Sequence, residues 1–284
     1  MSLLNNVKEL ELPSHGVQYK DFIEQEGNYV ISPSGLRNFV SNRAEWYKNT
    51  VLKERTFEGN EKSCIGSLLH QYAEDYYNGE LTNDNKLLDW KIKQISKDYP
   101  EAVIEFERVY PYFREIYLDT ATKPDELEKY MEYNLTDNIK LAGSCDAIIV
   151  ENGKHIIGDY KSTSKTFKDM EQYFLQLSVY SLLYELTTGI KIDYIRVVGI
   201  ILLKEPKITI LESKPDIEIV KKMLENVVHS IQLVNDNPEL KELIFFENYY
   251  DMFSKEKLNK EEVSFKELDK TSIKRTQLKN SIFG

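Results

Sequence analysis

Apolar residues follow two rhythms along this chain, and the change comes after about residue 121. In the first part they recur at helical spacing. Ser32-Pro33-Ser34 predicts a helix start, because serine caps free N–H groups and proline suits a first turn. Leu36, Phe39, Val40 and Trp46 mark that helix, which is expected to end near Asn49. A second helix is expected from about Cys64 to Tyr77. Ile65, Leu68, Leu69, Tyr72 and Tyr76 share one broad face of it, and Asn78-Gly79 stops it. Residues 84–121 read as two more helices, with Pro100 opening the second. Residues 1–31 form a polar lead-in with one short strand.

Strand rhythm then takes over. Lys129–Leu135 alternates weakly, and Thr136-Asp137-Asn138 turns the chain. Ile139–Val150 and Lys154–Lys161 flank Asn152-Gly153, and Asn-Gly between two apolar runs is the strongest short-range hairpin signal. A helix from about Phe167 to Leu186 ends at Gly189. Strands over Ile192–Leu203 and Lys207–Leu211 follow, then a helix from Pro215 to Val234. The last fifty residues read as one more helix and a charged tail. This order predicts an α/β fold, with a central mixed sheet flanked by helices and a helical N-terminal part. We expect a single domain over 1–284, with a mainly helical part at 32–121, a sheet and helix core at 129–211 and a helical part at 215–284.

Composition narrows the class. Of 284 residues, 41% are apolar and 30% charged, with no long block of one sign. That excludes a wholly disordered, collagen-like or coiled-coil chain. Against 37 basic residues stand 47 acidic ones, a net charge of −10. Such a balance argues against coating nucleic acid by bulk charge but leaves room for a local basic cleft. Cys64 and Cys145 form no Cys-x-x-Cys, so a zinc or iron–sulfur centre built on cysteines is excluded. The opening MSLLNNVKELELPSHG lacks the basic flank and apolar core of a signal peptide. Val197 to Leu203 is too short an apolar stretch to span a bilayer. A cytoplasmic protein with no membrane partner is expected.

Chemistry concentrates around the hairpin. With Asn152 and Gly153 as a two-residue loop, Glu151 faces Lys154, Ile148 faces Ile157 and Asp146 faces Asp159. Side chains alternate between faces, so Asp146, Asp159 and Lys161 are expected on one side at the open end. Opposed residues have Cβ atoms roughly 5 Å apart. Two carboxylates there repel by about 3 kcal/mol at an effective dielectric of 20. A bound cation reverses that sign, and carboxylate oxygens with water suit magnesium or manganese. Metal, lysine and paired carboxylates together are the equipment for phosphodiester hydrolysis. The plainer alternative is a solvated strand end, with Asp146 paired to a surface lysine.

Gly-x-x-Asp, a dozen residues, then Asp-x-Lys resembles the PD-(D/E)xK nuclease superfamily, with Ser144-Cys145 in place of the proline. Three further segments resemble its RecB-type branch of phage and bacterial exonucleases. They are Ser32-Pro33-Ser34-Gly35-Leu36, Gly66-Ser-Leu-Leu-His70 and Gln176-Leu-Ser-Val-Tyr180, in the family's order. The four iron–sulfur cysteines of some relatives are missing, and no Walker A sequence is present. The resemblance implies that Asp146, Asp159, His70 and the backbone carbonyl of Tyr160 hold one or two Mg2+ or Mn2+ ions. Lys161 would then be the catalytic lysine. The alternative for His70 is a helix histidine bonded to Glu74 at i+4. Gln176 and Tyr180 share a helix face, either lining a DNA groove or filling core. Ser162, Thr163 and Lys165 leave the site in a segment suited to phosphate contacts, and Lys168 adds to a local basic patch. Of Glu128 and Glu132, Glu132 is expected on the opposite face from Asp146. The mixed-charge segment Lys255 to Lys279 reads as a solvated helix.

The function expected is therefore a metal-dependent DNA nuclease, an exonuclease of phage or bacterial recombination, replication or processing. Its partners would be duplex or single-stranded DNA and other phage recombination or replication proteins. The rivals are a non-catalytic DNA-binding or assembly module on the same fold, and a nuclease acting on RNA or on branched DNA.

Overall fold

In the computed structural model the described residues are 20–23, 25, 27–50, 52, 59–81, 86–163, 171–240 and 244–245. After a short turn of helix α1 (Lys20–Ile23) and strand β1 (Tyr29–Ile31) come five helices. These are α2 (Pro33–Ser41), α3 (Arg43–Thr50), α4 (Glu61–Asn78), α5 (Lys86–Asp98) and α6 (Pro100–Phe113). A π-helical turn, Arg114–Leu118, extends α6. Then follow β2 (Glu126–Asn134), β3 (Ile139–Glu151), β4 (Lys154–Thr163), α7 (Glu171–Thr188), β5 (Tyr194–Ile201), β6 (Lys207–Ser213) and α8 (Ile217–Asp236).

Local chemistry explains most boundaries. Ser32 Oγ accepts from the Gly35 N–H at 2.9 Å, capping α2. Gly79 closes α4 in the left-handed conformation (φ 75°), with its N–H on the carbonyls of Asp75 and Tyr76. Where one helix was expected from Ser32 to Asn49 there are two. Asn42 breaks the run, because its side-chain oxygen accepts from the Glu45 N–H at 3.1 Å and caps α3 instead. Val40 is consequently 53% exposed, while Leu36, Phe39 and Trp46 are buried. Trp46 and Tyr47 pack against Phe245.

The sheet among the described residues is six-stranded and mixed, in the order β1-β3-β4-β5-β6, with β2 also on β3. β2 pairs antiparallel with β3 from Lys140 to Ile148 and so occupies one edge of it. β1 pairs parallel at Ile139–Leu141, and β4 pairs antiparallel at Ala147–Glu151. Both overlap the β2 pairing, so both lie along the other edge of β3. Residues 142–146 of that edge are left between them without a strand partner. The gap holds the candidate site.

Among the described residues two large cores cover the sheet, with a small third cluster at Ala147, Ile149 and Ile156. On one side Leu177, Val179 and Leu183 of α7 pack with Cys145, Ile148, Ile157 and Val197. On the other, Leu68, Leu69 and Tyr72 of α4 and Phe106 and Phe113 of α6 pack with Tyr160, Val198 and Ile200. Cys145 and Ile148 are three residues apart yet share one core, so strict alternation fails between them. Opposite this point on β2, Glu128 has φ 44°, in the left-handed region. The strands therefore reverse their facing where Glu128 meets Asp146. No helix among the described residues is long and apolar enough to cross a membrane.

Candidate active site

The hairpin sets the site's register. Asn152 (φ 52°) and Gly153 (φ 73°) both take the left-handed conformation that a tight two-residue turn requires. Pairing runs from Glu151–Lys154 to Ala147–Gly158 and then stops. It ends one pair short of Asp146 and Asp159, and the strands part there. Asp146 Oδ2 accepts from the Tyr160 N–H at 2.8 Å, standing in for the next ladder bond. β4 meanwhile continues against β5 as far as Thr163–Ile201.

Helix α4 brings His70 into this fork. Its Nε2 lies 2.6 Å from the Tyr160 carbonyl oxygen and its Nδ1 3.3 Å from Asp146 Oδ2. Glu74 is bonded to Gln71 instead of to His70, which removes the simple i+4 alternative. Gly66, one turn earlier, lets the helix sit this close. A Cβ there would lie 3.3 Å from Ser162 Oγ. Gly143, inside the sheet gap, does the same for the opposite wall. A Cβ there would meet Pro33 Cδ at 2.9 Å and the Tyr180 ring at 3.3 Å.

Ligating atoms of His70, Glu128 and Asp146 lie within 4.8 Å of one another. Asp159, 3% exposed, is the next acid. Lys161 Nζ sits 2.6 Å from its carboxylate and donates to Oδ1. The same ammonium lies 2.6 Å from Oδ2, so both carboxylate oxygens face one cation. A buried carboxylate beside two more carboxylates and an imidazole is a donor set that fits a divalent cation.

Electrostatics describe the same excess of negative charge. Burial disfavours the Asp146 anion, but His70, Lys161 and the Tyr160 N–H outweigh it and hold the carboxyl down at about 2. Burial pulls the His70 imidazole down, yet Asp146 overrides it and raises the group to about 9. Glu128 is pushed up to about 7 by burial and by Asp146. Burial likewise raises Asp159, and Asp146 adds to it while Lys161 opposes. Burial lowers Lys161, and Asp159 and Asp146 more than restore it.

The chain's other candidates are placed as follows. Gln176 and Tyr180 are buried on α7, 9% and 7% exposed. Tyr180 belongs to the α7-side core, and burial, Asp146 and Asp159 raise its phenol well above the usual value. It is thus both core and a wall of the site. Ser162 and Thr163 close β4, half-buried. Lys165, Lys168 and the segment Lys255 to Lys279 lie outside the described residues. Glu132 is held at the surface by Lys140 and Tyr130.

Glu128 is the site residue that sequence reasoning passed over. Leu127 pairs with Ala147 and Lys129 with Cys145, so Glu128 stands opposite Asp146. Counting back from the Asp137-Asn138 turn would have found it, had the loop been taken as the five residues between Asn134 and Lys140.

A family model described as the PD-(D/E)XK nuclease superfamily matches residues 30–268. The chain belongs to the PD-(D/E)XK nuclease superfamily. Nucleases of this superfamily depend on divalent metal ions, in keeping with the His70, Glu128 and Asp146 group. The fold is similar to that of a candidate exonuclease from Eubacterium rectale. The two share 16% identity at a TM-score of 0.54, over 92% of this chain and 98% of that one. An alkaline exonuclease from Laribacter hongkongensis is similar at 14% identity and a TM-score of 0.39, over 78% of this chain and 97% of that one. No curated protein sequence matches significantly. Within the superfamily pattern, Ser144-Cys145 stands where the name has proline. Asp146 itself lies at the open strand edge, with its carboxylate accepting from the Tyr160 N–H.

Proposed function

We propose that this member of the PD-(D/E)XK superfamily is a metal-dependent deoxyribonuclease, acting as an exonuclease in phage or bacterial DNA recombination, replication or processing. One observation carries the reading. In the fork between β3 and β4, His70, Glu128, Asp146, Asp159 and Lys161 converge, with more carboxylates than cations to balance them. His70, Asp146 and Asp159, with Glu128 and the Tyr160 carbonyl, would hold Mg2+ or Mn2+. When bound, such an ion supplies Lewis acidity toward a phosphoryl oxygen and lowers the pKa of water.

The chain's own groups do the rest. Asp146 holds His70 in place and braces β4 through the Tyr160 N–H. His70 must give up a proton to ligate, since beside Asp146 it keeps one up to about pH 9. Lys161, tethered to Asp159, orients the attacking water or stabilises charge on the phosphate. Tyr180 and Gln176 form the inner wall that excludes bulk water, and Ser162 and Thr163 offer hydroxyls to the DNA backbone. The order of the Ser32–Leu36, Gly66–His70 and Gln176–Tyr180 segments supports the exonuclease branch.

Incubation of linear duplex DNA with Mn2+, against the same mixture with chelator, tests the reading. Cleavage is expected with metal alone. Lys161→Ala should fold normally and lose at least about 100-fold in rate, the scale for removing one group that stabilises developing charge. Full activity in that variant would end the mechanism. Nicked circular DNA, single strands and RNA as substrates separate exonuclease action from its rivals.

A further inference from the structure

We infer that Tyr173 of α7 is a positioning residue for Lys161, its ring face holding the ammonium toward the fork between β3 and β4. The inference rests on the nuclease reading and adds a residue to it.

Lys161 Nζ lies over the Tyr173 ring, 5.8 Å from its centroid, within the range of a cation–π contact. The same ammonium sits 2.6 Å from the Asp159 carboxylate. Asp159 and Lys161 stand two apart on β4, so both point to one side of the sheet, the side that α7 covers. Their side chains are 5% and 22% exposed. Tyr173 is half-buried and packs against the core on that side. On α7, Tyr173, Gln176 and Tyr180 fall at i, i+3 and i+7, which is one helix face. Tyr180 meets β3 at Gly143, where a Cβ would lie 3.3 Å from its ring. Tyr173, about two turns earlier, meets β4 at Lys161. One face of α7 therefore touches both strands of the fork.

The two partners of the ammonium differ in kind. A lysine has a long flexible stem, and fixing its end costs side-chain entropy. Asp159 is one of the carboxylates proposed to hold the ion, so its charge is shared between two cations. The Tyr173 ring is neutral. It offers the ammonium the negative face of its π system and does not compete for the ion. The contact needs the ring and not the hydroxyl. A ring that stacked on a base would act on DNA binding instead. One that only packed α7 on the sheet would act without regard to Lys161.

The test is a double-mutant cycle in the full chain, with wild type, Tyr173→Leu, Tyr173→Phe, Lys161→Ala, and Tyr173→Leu combined with Lys161→Ala. Cleavage of linear duplex DNA with Mn2+ is read in single turnovers with enzyme in excess, so that slow variants register. Tyr173→Leu is expected to lose about tenfold in maximal rate at an unchanged half-saturating concentration, and Tyr173→Phe to keep the rate within about twofold. In the Lys161→Ala background, Tyr173→Leu is expected to cost nothing further. In chelator, proton NMR of wild type and Tyr173→Phe is expected to show the Lys161 side-chain protons shifted upfield by the ring current, a shift that Tyr173→Leu loses. The wild-type spectrum decides by itself if the leucine variant fails to fold, and absence of the shift there would overturn the inference. An equal loss of rate in both backgrounds, a phenylalanine variant as slow as the leucine one, or an effect confined to half-saturation would also overturn it. Each of these leaves the nuclease reading intact. No metal-dependent cleavage by wild type would overturn the nuclease reading and this inference with it.

Discussion

The β3–β4 hairpin carries charged groups at both ends, and the ends treat them differently. At the closed end Arg196 donates to Glu151 at 2.7 Å and to Glu212 at 2.6 Å, and Thr122 donates to Glu151 at 2.7 Å. The ladder is complete there, and Arg196 is braced on both sides. At the open end the ladder stops, Asp159 has one cation, Lys161, for a buried carboxylate that Asp146 repels, and Glu128 and Asp146 crowd one imidazole. Both ends are polar and partly buried in one sheet. The first is a fastener. The second is incomplete as it stands, and incompleteness of this kind marks a place for a ligand.

The sharpest way to break that comparison is to neutralise one member at each end. Arg196→Met should lower stability by about 2 kcal/mol, the scale of hydrogen bonds to charged groups, and leave cleavage unchanged. Asp159→Asn should abolish cleavage, and in chelator it should cost less stability than Arg196→Met, because the burial and the repulsion by Asp146 that raise the Asp159 carboxyl offset the ion pair with Lys161 that is lost. Thermal unfolding and a nuclease assay on each variant check both. A loss of stability in Asp159→Asn as large as that in Arg196→Met would erase the distinction.

pH sharpens it further. Glu128, raised from 4.5 to about 7, and His70, raised from 6.5 to about 9, bind protons more tightly folded than unfolded. Their contribution is fully present below the unfolded values and fades as pH rises through the folded ones. Asp146, lowered from 3.8 to about 2, works the other way, and its contribution is lost as pH falls through that range. These groups should therefore make metal-free protein most stable near pH 4, with a decline from about pH 4.5 toward pH 9. Added Mn2+ should reverse the slope, since the protons on Glu128 and His70 must leave before those groups can ligate. A Mn2+-induced rise in Tm that grows from pH 6 to 9 is the expected result.

The smallest expected effect lies at the turn. Gly153→Ala, at φ 73°, should cost about 1 kcal/mol with metal affinity intact. A large loss of affinity would mean that the turn, and not the tertiary surroundings, holds the open end together.

The hairpin was legible in the sequence because its causes are local. Asn152-Gly153 dictates a turn, the turn dictates the register, and the register carries Asp146, Asp159 and Lys161 to one end. The Ser32 cap and the Gly79 stop are local in the same way. The break at Asn42 is local too, but reading it required weighing a side-chain cap against an apolar pattern that ran straight through.

Beyond that, the sequence by itself determined which residue types were available and which faces they would take within one element. It could not determine which edge of β3 would stay open. β1 and β4 claim the two ends of that edge from opposite parts of the chain, and only their joint pairing leaves residues 142–146 free. Glu128 and Tyr173 belong to the site for the same reason. One arrives by a strand register and a positive φ, the other by the packing of α7 on the sheet. Hydrogen bonds and charges act over a few ångströms in space whatever the separation along the chain, so contacts between distant segments exist only once the fold has brought them together.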